Sequence, residues 1–242
     1  MANTFHVEHF RSPKNLAFIV YALVGLQVIA FAVGIIASLS YLIEPDWSFT
    51  LDDGTSSPVF LMFIGLSTIL RIGAFILTIV FFLIWVHRAY SNLSPLKARN
   101  LEFSPGWAVG WWFIPFANLV KAYQVMRELW TASDPDLDER LDFMPAGSSS
   151  NSVLGFWWGT YLVGNVILRI SDKQFDAATS QYKTAILLYL IGSSVLIVSA
   201  ALLIILVSDI TNRQLQRKAK LETIGYGSEL PPPPPTFASE MT

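Results

Sequence analysis

From Leu16 to Ile43 the chain carries no charged residue, and that stretch rules out most of what a polypeptide could become. At roughly 1.5 Å per residue a helix over it would reach about 40 Å, more than the roughly 30 Å hydrocarbon core of a bilayer. It predicts a spanning helix that tilts or projects beyond the membrane. A cleaved signal peptide would have a shorter core and a small-residue cleavage site. Three further apolar runs, Val59 to Val86, Ser152 to Ile170 and Thr184 to Ser208, also approach or exceed the roughly 20 residues a spanning helix needs. A chain that is 53% hydrophobic and 14% charged lies in the membrane range of composition. Cysteine is absent, which excludes a disulfide framework and a Cys-based metal site. The net charge of −2 and the lack of a long basic stripe argue against nucleic-acid binding.

Between the second and third runs lies a segment of different character, residues 104–130. Its apolar part, Pro105 to Val120, contains two prolines and two glycines and is too short to cross, so it predicts a segment that dips into the membrane or lies along it. Beyond Pro115, the apolar residues Phe116, Leu119, Val120, Tyr123, Met126 and Trp130 recur at helical spacing. Asn118, Lys121, Gln124, Arg127 and Glu128 fill most of the remainder, the pattern of an amphipathic helix.

The run Phe103-Ser-Pro-Gly-Trp-Ala-Val-Gly-Trp-Trp-Phe-Ile-Pro115, with Asn118, Lys121, Tyr123-Gln124 and Met126-Arg-Glu-Leu-Trp130, resembles the signature of an uncharacterised bacterial family of multi-pass membrane proteins, known only as a domain of unknown function. The likeness extends from the first apolar run to about Ser208. It implies a membrane location and a Trp/Pro-rich insert, and supplies no activity, cofactor or catalytic residue.

Charge decides how many times the chain crosses. With four spans, one side collects Arg11, Lys14, Arg88, Lys97, Arg99, Lys121, Arg127, Arg140, Arg213, Arg217, Lys218 and Lys220, and the other keeps Lys173 and Lys183, with Arg169 at the boundary. A fifth crossing through the insert would nearly equalise the two faces. The positive-inside rule therefore selects four spans with both termini cytoplasmic. The expected fold is an all-α integral membrane protein with four transmembrane helices. A Trp/Pro-rich re-entrant or interfacial segment and a following amphipathic helix lie between the second and third. Residues 1–15 form a cytoplasmic N-terminus and 16–224 the membrane domain, with spans 16–43, 59–86, 152–170 and 184–208 and a helical extension 209–224. The tail 225–242, with Pro231 to Pro235, is expected to be disordered.

Arg71 is the ionised residue furthest inside a span, and no Asp or Glu in any span is available to it. It either binds an anion, lipid phosphate or partner carboxylate with Ser67, Thr68 and Thr78, or snorkels to the outer surface, the reading we favour. Trp107, Trp111 and Trp112 suit the headgroup level, as do Trp157 and Trp158. Open backbone near Pro105 and Pro115 must be covered by helices or water, so the insert is expected to plug or brace the cytoplasmic half of a four-helix bundle. Gln27, Asn118 and Asn165 are candidates for interhelical hydrogen bonds. His87, Arg88, Lys97, Arg99, Lys121 and Arg127 could collar anionic headgroups, although a topology signal leaves the same residues. The acidic loop Asp134 to Asp142 lacks the glycine and spacing of a calcium loop, and His6 and His9 have only Glu8 beside them.

No nucleophile elbow, phosphate-cradling loop or zinc-protease motif is present. The sequence thus points to a non-catalytic inner-membrane scaffold or accessory subunit without cofactor or metal. It would organise lipid or partner proteins, or a homo-oligomer, through Trp107, Trp111, Trp112, Pro115, Asn118, Lys121, Arg127, Trp130 and Arg71. A small transporter or channel using the broken insert and Arg71 is the alternative, and an intramembrane lipid-modifying enzyme is the weakest of the three.

Overall fold

The computed structural model describes residues 7, 9–43, 58–136, 152–176 and 182–224. Glu8, His6, Asp138, Glu139 and Asp142 of the acidic loop, and the proline tail lie outside them. The side chains of Ser67, Thr68 and Arg71 do too, although α2 includes their backbone. The described residues are helical with no strand: α1 (Lys14–Ile43), α2 (Pro58–Ser91), α3 (Pro105–Gly110), a 3-10 turn (Trp111–Phe113), α4 (Ala117–Ala132), α5 (Ser152–Asp176) and α6 (Tyr182–Ile224). α1, α2, α5 and α6 are long and apolar enough to cross a membrane. This is the all-helical membrane architecture expected from the apolar runs. At 43 residues, α6 is roughly 65 Å long, about twice the hydrocarbon thickness, so its last turns stand clear of the bilayer.

The spans form a row rather than a closed bundle. α5 and α6 pack closely along their length, α1 lies against α6, and α2 lies against α1. Small residues set the α5–α6 approach. A Cβ at Gly164 would come within 2.8 Å of Leu196, and one at Gly192 within 2.9 Å of Leu168, the close backbone contact that small residues permit between membrane helices. α2 and α5, at the two ends of the row, make no extended contact. The insert closes that side: α3 packs on α2, and α4 reaches α5 and α6.

Both prolines of the insert act as helix punctuation. Ser104 caps α3 through its side chain, accepting from the Trp107 amide, and Pro105 occupies the first turn, where its missing N–H costs nothing. Pro105 and Gly106 are therefore helical rather than open. The true break is at Pro115–Phe116. Phe116 has φ 63° and ψ −42°, and the Ala117 amide donates to the Pro115 carbonyl at 2.7 Å. That is the positive-φ γ-turn, a rare and strained form. α4 then buries Ala122, Val125, Met126, Leu129 and Ala132, the helical spacing of its apolar face.

A polar latch fastens the insert to the charged end of the row. Past α2, the Ala98 amide donates to Leu93 and the Lys97 amide to Ser94, with Lys97 at φ 60°, the two bonds of a Schellman helix stop. The Leu96 carbonyl at that stop accepts from Arg217 Nε at 2.8 Å, and Arg217 Nη1 also donates to the carbonyls of Ala132 (3.4 Å) and Asp134 (2.7 Å). One buried guanidinium thus serves the C-terminal ends of two helices. Nearby, Gln214 is fully buried. Its Nε2 donates to the Ala89 carbonyl and Ser133 Oγ, and its Oε1 accepts from Asn92, which in turn bonds the Arg11 backbone through both amide atoms. Arg213 stacks on Trp130 at 3.9 Å and pairs with Asp134 and Asp209, while Trp130 Nε1 donates to Asp209.

Candidate functional site

A chamber of about 360 Å³ lies between the four spans, above the insert. This is within the size range of small-molecule pockets. α1 contributes Val24, Gln27 and Phe31, and α2 contributes Phe75, Thr78, Ile79 and Phe82. The insert supplies Trp112, Phe113 and Asn118 as a floor, and α5 and α6 supply Trp158, Tyr161, Asn165 and Ser199. The walls are apolar and aromatic with a few amides and hydroxyls, and among the described residues no lining residue is charged.

Trp112 is the centre of the floor. Its ring meets Phe82 of α2 edge-on at 5.3 Å and Trp158 of α5 edge-on at 6.0 Å. Both are favourable quadrupolar geometries, and together they bridge the two end spans, which make no extended contact with each other. Trp158 stacks on Tyr161 at 5.5 Å and donates its Nε1–H to the Leu119 carbonyl at 2.8 Å. That bond ties α5 to the first turn of α4, just past the Pro115 break.

The candidate residues separate into distinct roles. Gln27, Asn118 and Asn165 all reach the chamber. Asn165 donates to the Tyr161 carbonyl within its own helix at 2.7 Å rather than to a neighbouring helix. Of the tryptophans expected at the headgroups, Trp107 does expose its ring, but Trp111 and Trp112 turn inward. Their indole N–H groups are buried and have no acceptor. Trp157 and Trp158 are likewise core residues, not members of a surface belt. Pro115 and Phe116 form the exposed tip. Lys121 is held by Glu102 at 3.1 Å, with its ammonium over the Phe103 and Trp111 rings, so it fastens the insert internally. Trp130 belongs to the latch, and Arg127 is half-buried on α4. Arg71 lies on α2, with its side chain outside the described residues.

Sequence reasoning passed over Phe82, Tyr90, Ser199, Gln214 and the inward role of Arg217. The Tyr90 hydroxyl bonds Glu128, whose other oxygen accepts from the Glu102 amide. Ser199 Oγ lies 3.3 Å from the Trp157 carbonyl. The signal for Gln214 was available, because Ile210, Gln214 and Arg217 repeat at helical spacing on one face. Among the described residues, no group of three or more His, Cys, Asp or Glu could hold a metal.

No curated protein and no solved structure matches the chain. A family profile does match residues 55–212, from just before α2 into the last third of α6, leaving α1 and the N-terminus outside. With its broken insert and the α2, α5 and α6 walls of the chamber inside that region, the chain belongs to the family described as Domain of unknown function (DUF4328).

Proposed function

We propose that this protein is a non-catalytic scaffold of the bacterial cytoplasmic membrane, both termini cytoplasmic, whose insert enters the inner leaflet and floors a chamber that holds a lipid chain. The observation that carries this reading is the aromatic-walled chamber of about 360 Å³, built jointly by the spans and the insert and lined, among the described residues, by uncharged side chains. Placement of the insert in the interface draws support from its surface. Trp107, Phe113, Ile114, Phe116, Leu119 and Val120 are all exposed, a contiguous run of apolar side chains that lipid would cover and water would not. The excess of Lys and Arg on the insert's side of the spans supports the orientation.

Holding a chain between α2 and α5 would let the protein organise lipid, and through it neighbouring proteins, without chemistry of its own. The test is photo-crosslinking in nanodiscs with a phospholipid bearing a diazirine at mid-chain, followed by peptide mapping. Adducts concentrated on the chamber residues of α2 and α5 support the reading. Adducts spread evenly over the lipid-facing surfaces refute it. Liposome flux that vanishes with Arg71→Ala would replace it with the transporter alternative.

A further inference from the structure

We infer that the 3-10 turn Trp111–Phe113 is a gate on the chamber, sprung by the strained turn at Phe116, which swings aside to exchange the held chain with the bilayer; this rests on the lipid-holding reading above. The chamber opens sideways. Phe75 and Ile79 of α2, Phe113 of the insert and Tyr161 of α5 line it and remain 49%, 40%, 69% and 37% exposed. They mark a mouth between the two spans that make no extended contact, and in a spanning protein that mouth faces acyl chains. The 3-10 turn stands in it. Phe113 lies at the rim, and the Trp112 ring fills the gap between Phe82 and Trp158.

Two kinds of stored cost converge on this turn. Phe116 holds φ 63° and ψ −42° although its side chain is 85% exposed, so no packing around the ring imposes that conformation. The backbone imposes it from both sides, because α3 is docked on α2 while α4 is held by α5 and α6. Strain of this kind persists only where the surroundings over-determine it, and it collects at switch segments. The second cost is unmet hydrogen bonding. Among the described residues, four buried side-chain polar atoms lack a partner, and three of them, Trp111 Nε1, Trp112 Nε1 and Gln124 Oε1, belong to the insert. Ring contacts oppose these costs: Trp112 with Phe82 and Trp158, and Trp111 with Trp107 at 5.0 Å and with the Lys121 ammonium. Swinging residues 111–116 outward gives up those contacts, returns Phe116 to negative φ and brings both indole N–H groups to the interface, where an indole is well placed. The closed and swung forms thus balance, the condition for a two-state element. The stem stays fixed throughout, because the latch grips α4 at Trp130 and beyond.

The chain contains no cysteine, so spin labels can be placed directly. Full-length protein labelled at Ile114→Cys and Ile170→Cys, two exposed positions outside the chamber lining, would be reconstituted in nanodiscs and its label-to-label distances measured by double electron–electron resonance. Two distance populations are expected. Phe116→Gly frees the backbone at this φ, and Phe116→Ala removes the same ring without freeing it, so the pair separates strain from the lost side chain. The closed-to-swung ratio should be about 5-fold higher in the glycine variant than in the alanine variant, the worth of relieving one non-glycine residue at positive φ. Release of the mid-chain diazirine phospholipid, preloaded and then chased with unlabelled lipid before irradiation at intervals, should be slower by the same factor. A single distance population, a ratio unchanged between the two variants, or equal release from them overturns the gate and leaves the lipid chamber standing. Absence of adducts from the chamber residues of the parent chain overturns both.

Discussion

Gln214→Leu isolates the energetics of the latch. Normally the Ala89 carbonyl would receive the Leu93 amide four residues on, but Leu93 donates to Tyr90 instead at 3.1 Å, and Ala89 depends on Gln214 Nε2 at 2.7 Å. The other partners have alternatives. Ser133 Oγ still donates to Leu129 at 2.6 Å, and Asn92 Nδ2 still reaches the Arg11 carbonyl at 2.9 Å. Only one group is therefore stranded, and the cost is the roughly 1–3 kcal/mol of a single buried unsatisfied carbonyl plus a fraction for the weakened pairs. Leucine returns about 1 kcal/mol of transfer free energy, for a net loss of about 1.5 kcal/mol. In a chain of this size that lowers the midpoint by about 3–6 °C, measurable by thermal scanning of intrinsic tryptophan fluorescence in mild detergent. Gln214→Glu sharpens the test. Burial raises the new carboxyl's folded-state pKa above its unfolded one. Its stabilising, protonated form, which can donate to Ala89, is thus fully present at low pH and lost as pH rises through the folded pKa. The variant should be least stable at neutral pH and recover on acidification. A leucine variant as stable as the parent, or a glutamate variant indifferent to pH, would refute the claim that this amide holds the insert to α6.

Three further outcomes can be measured. Gly192→Ile places side-chain atoms where even a Cβ would stand 2.9 Å from Leu168; overpacking should cost about 1–3 kcal/mol, read as a lower midpoint and earlier detergent-induced aggregation. Phe116→Gly removes the positive-φ strain, so the midpoint should rise by the equivalent of about 1 kcal/mol. In the same variant, quenching of Trp107 by chain-brominated lipid should fall as the exposed tip loses its anchor. Arg217→Met leaves three carbonyls without their charged donor, and the two buried ones, of Leu96 and Ala132, should cost about 2–6 kcal/mol together, with proteolytic cleavage between residues 97 and 104 as the readout.

The spans were legible because length and hydropathy suffice to define them: Leu16 to Ile43 has few alternatives to a helix in lipid. The break at Pro115 was legible for a similar local reason, since proline cannot donate and restricts the residue before it. Pro105 was misjudged because proline breaks a helix interior yet starts a helix well, and only the Ser104 cap distinguishes the cases. The inward turn of Trp112 and Trp158 could not be read from composition, because an indole is equally at home at an interface and in a core. Which applies is settled by Phe82 and Leu119, residues distant in sequence. Arg217 shows the same limit. A run of basic residues after a span reads as a topology signal, and nothing local reveals that one of them caps helices about a hundred positions earlier.

Because two of the groups that hold the end of α4 sit at positions 214 and 217, they leave the ribosome after the apolar part of α6. The first three long apolar helices and the insert are therefore made with Leu96, Ala132 and Asp134 still unsecured. A nascent chain arrested just past Ser208 would hold all four crossings and still lack its closure. Assembly of this protein thus includes a locking step that follows synthesis of α6, and quality control that samples unlocked intermediates would find its target between residues 97 and 136.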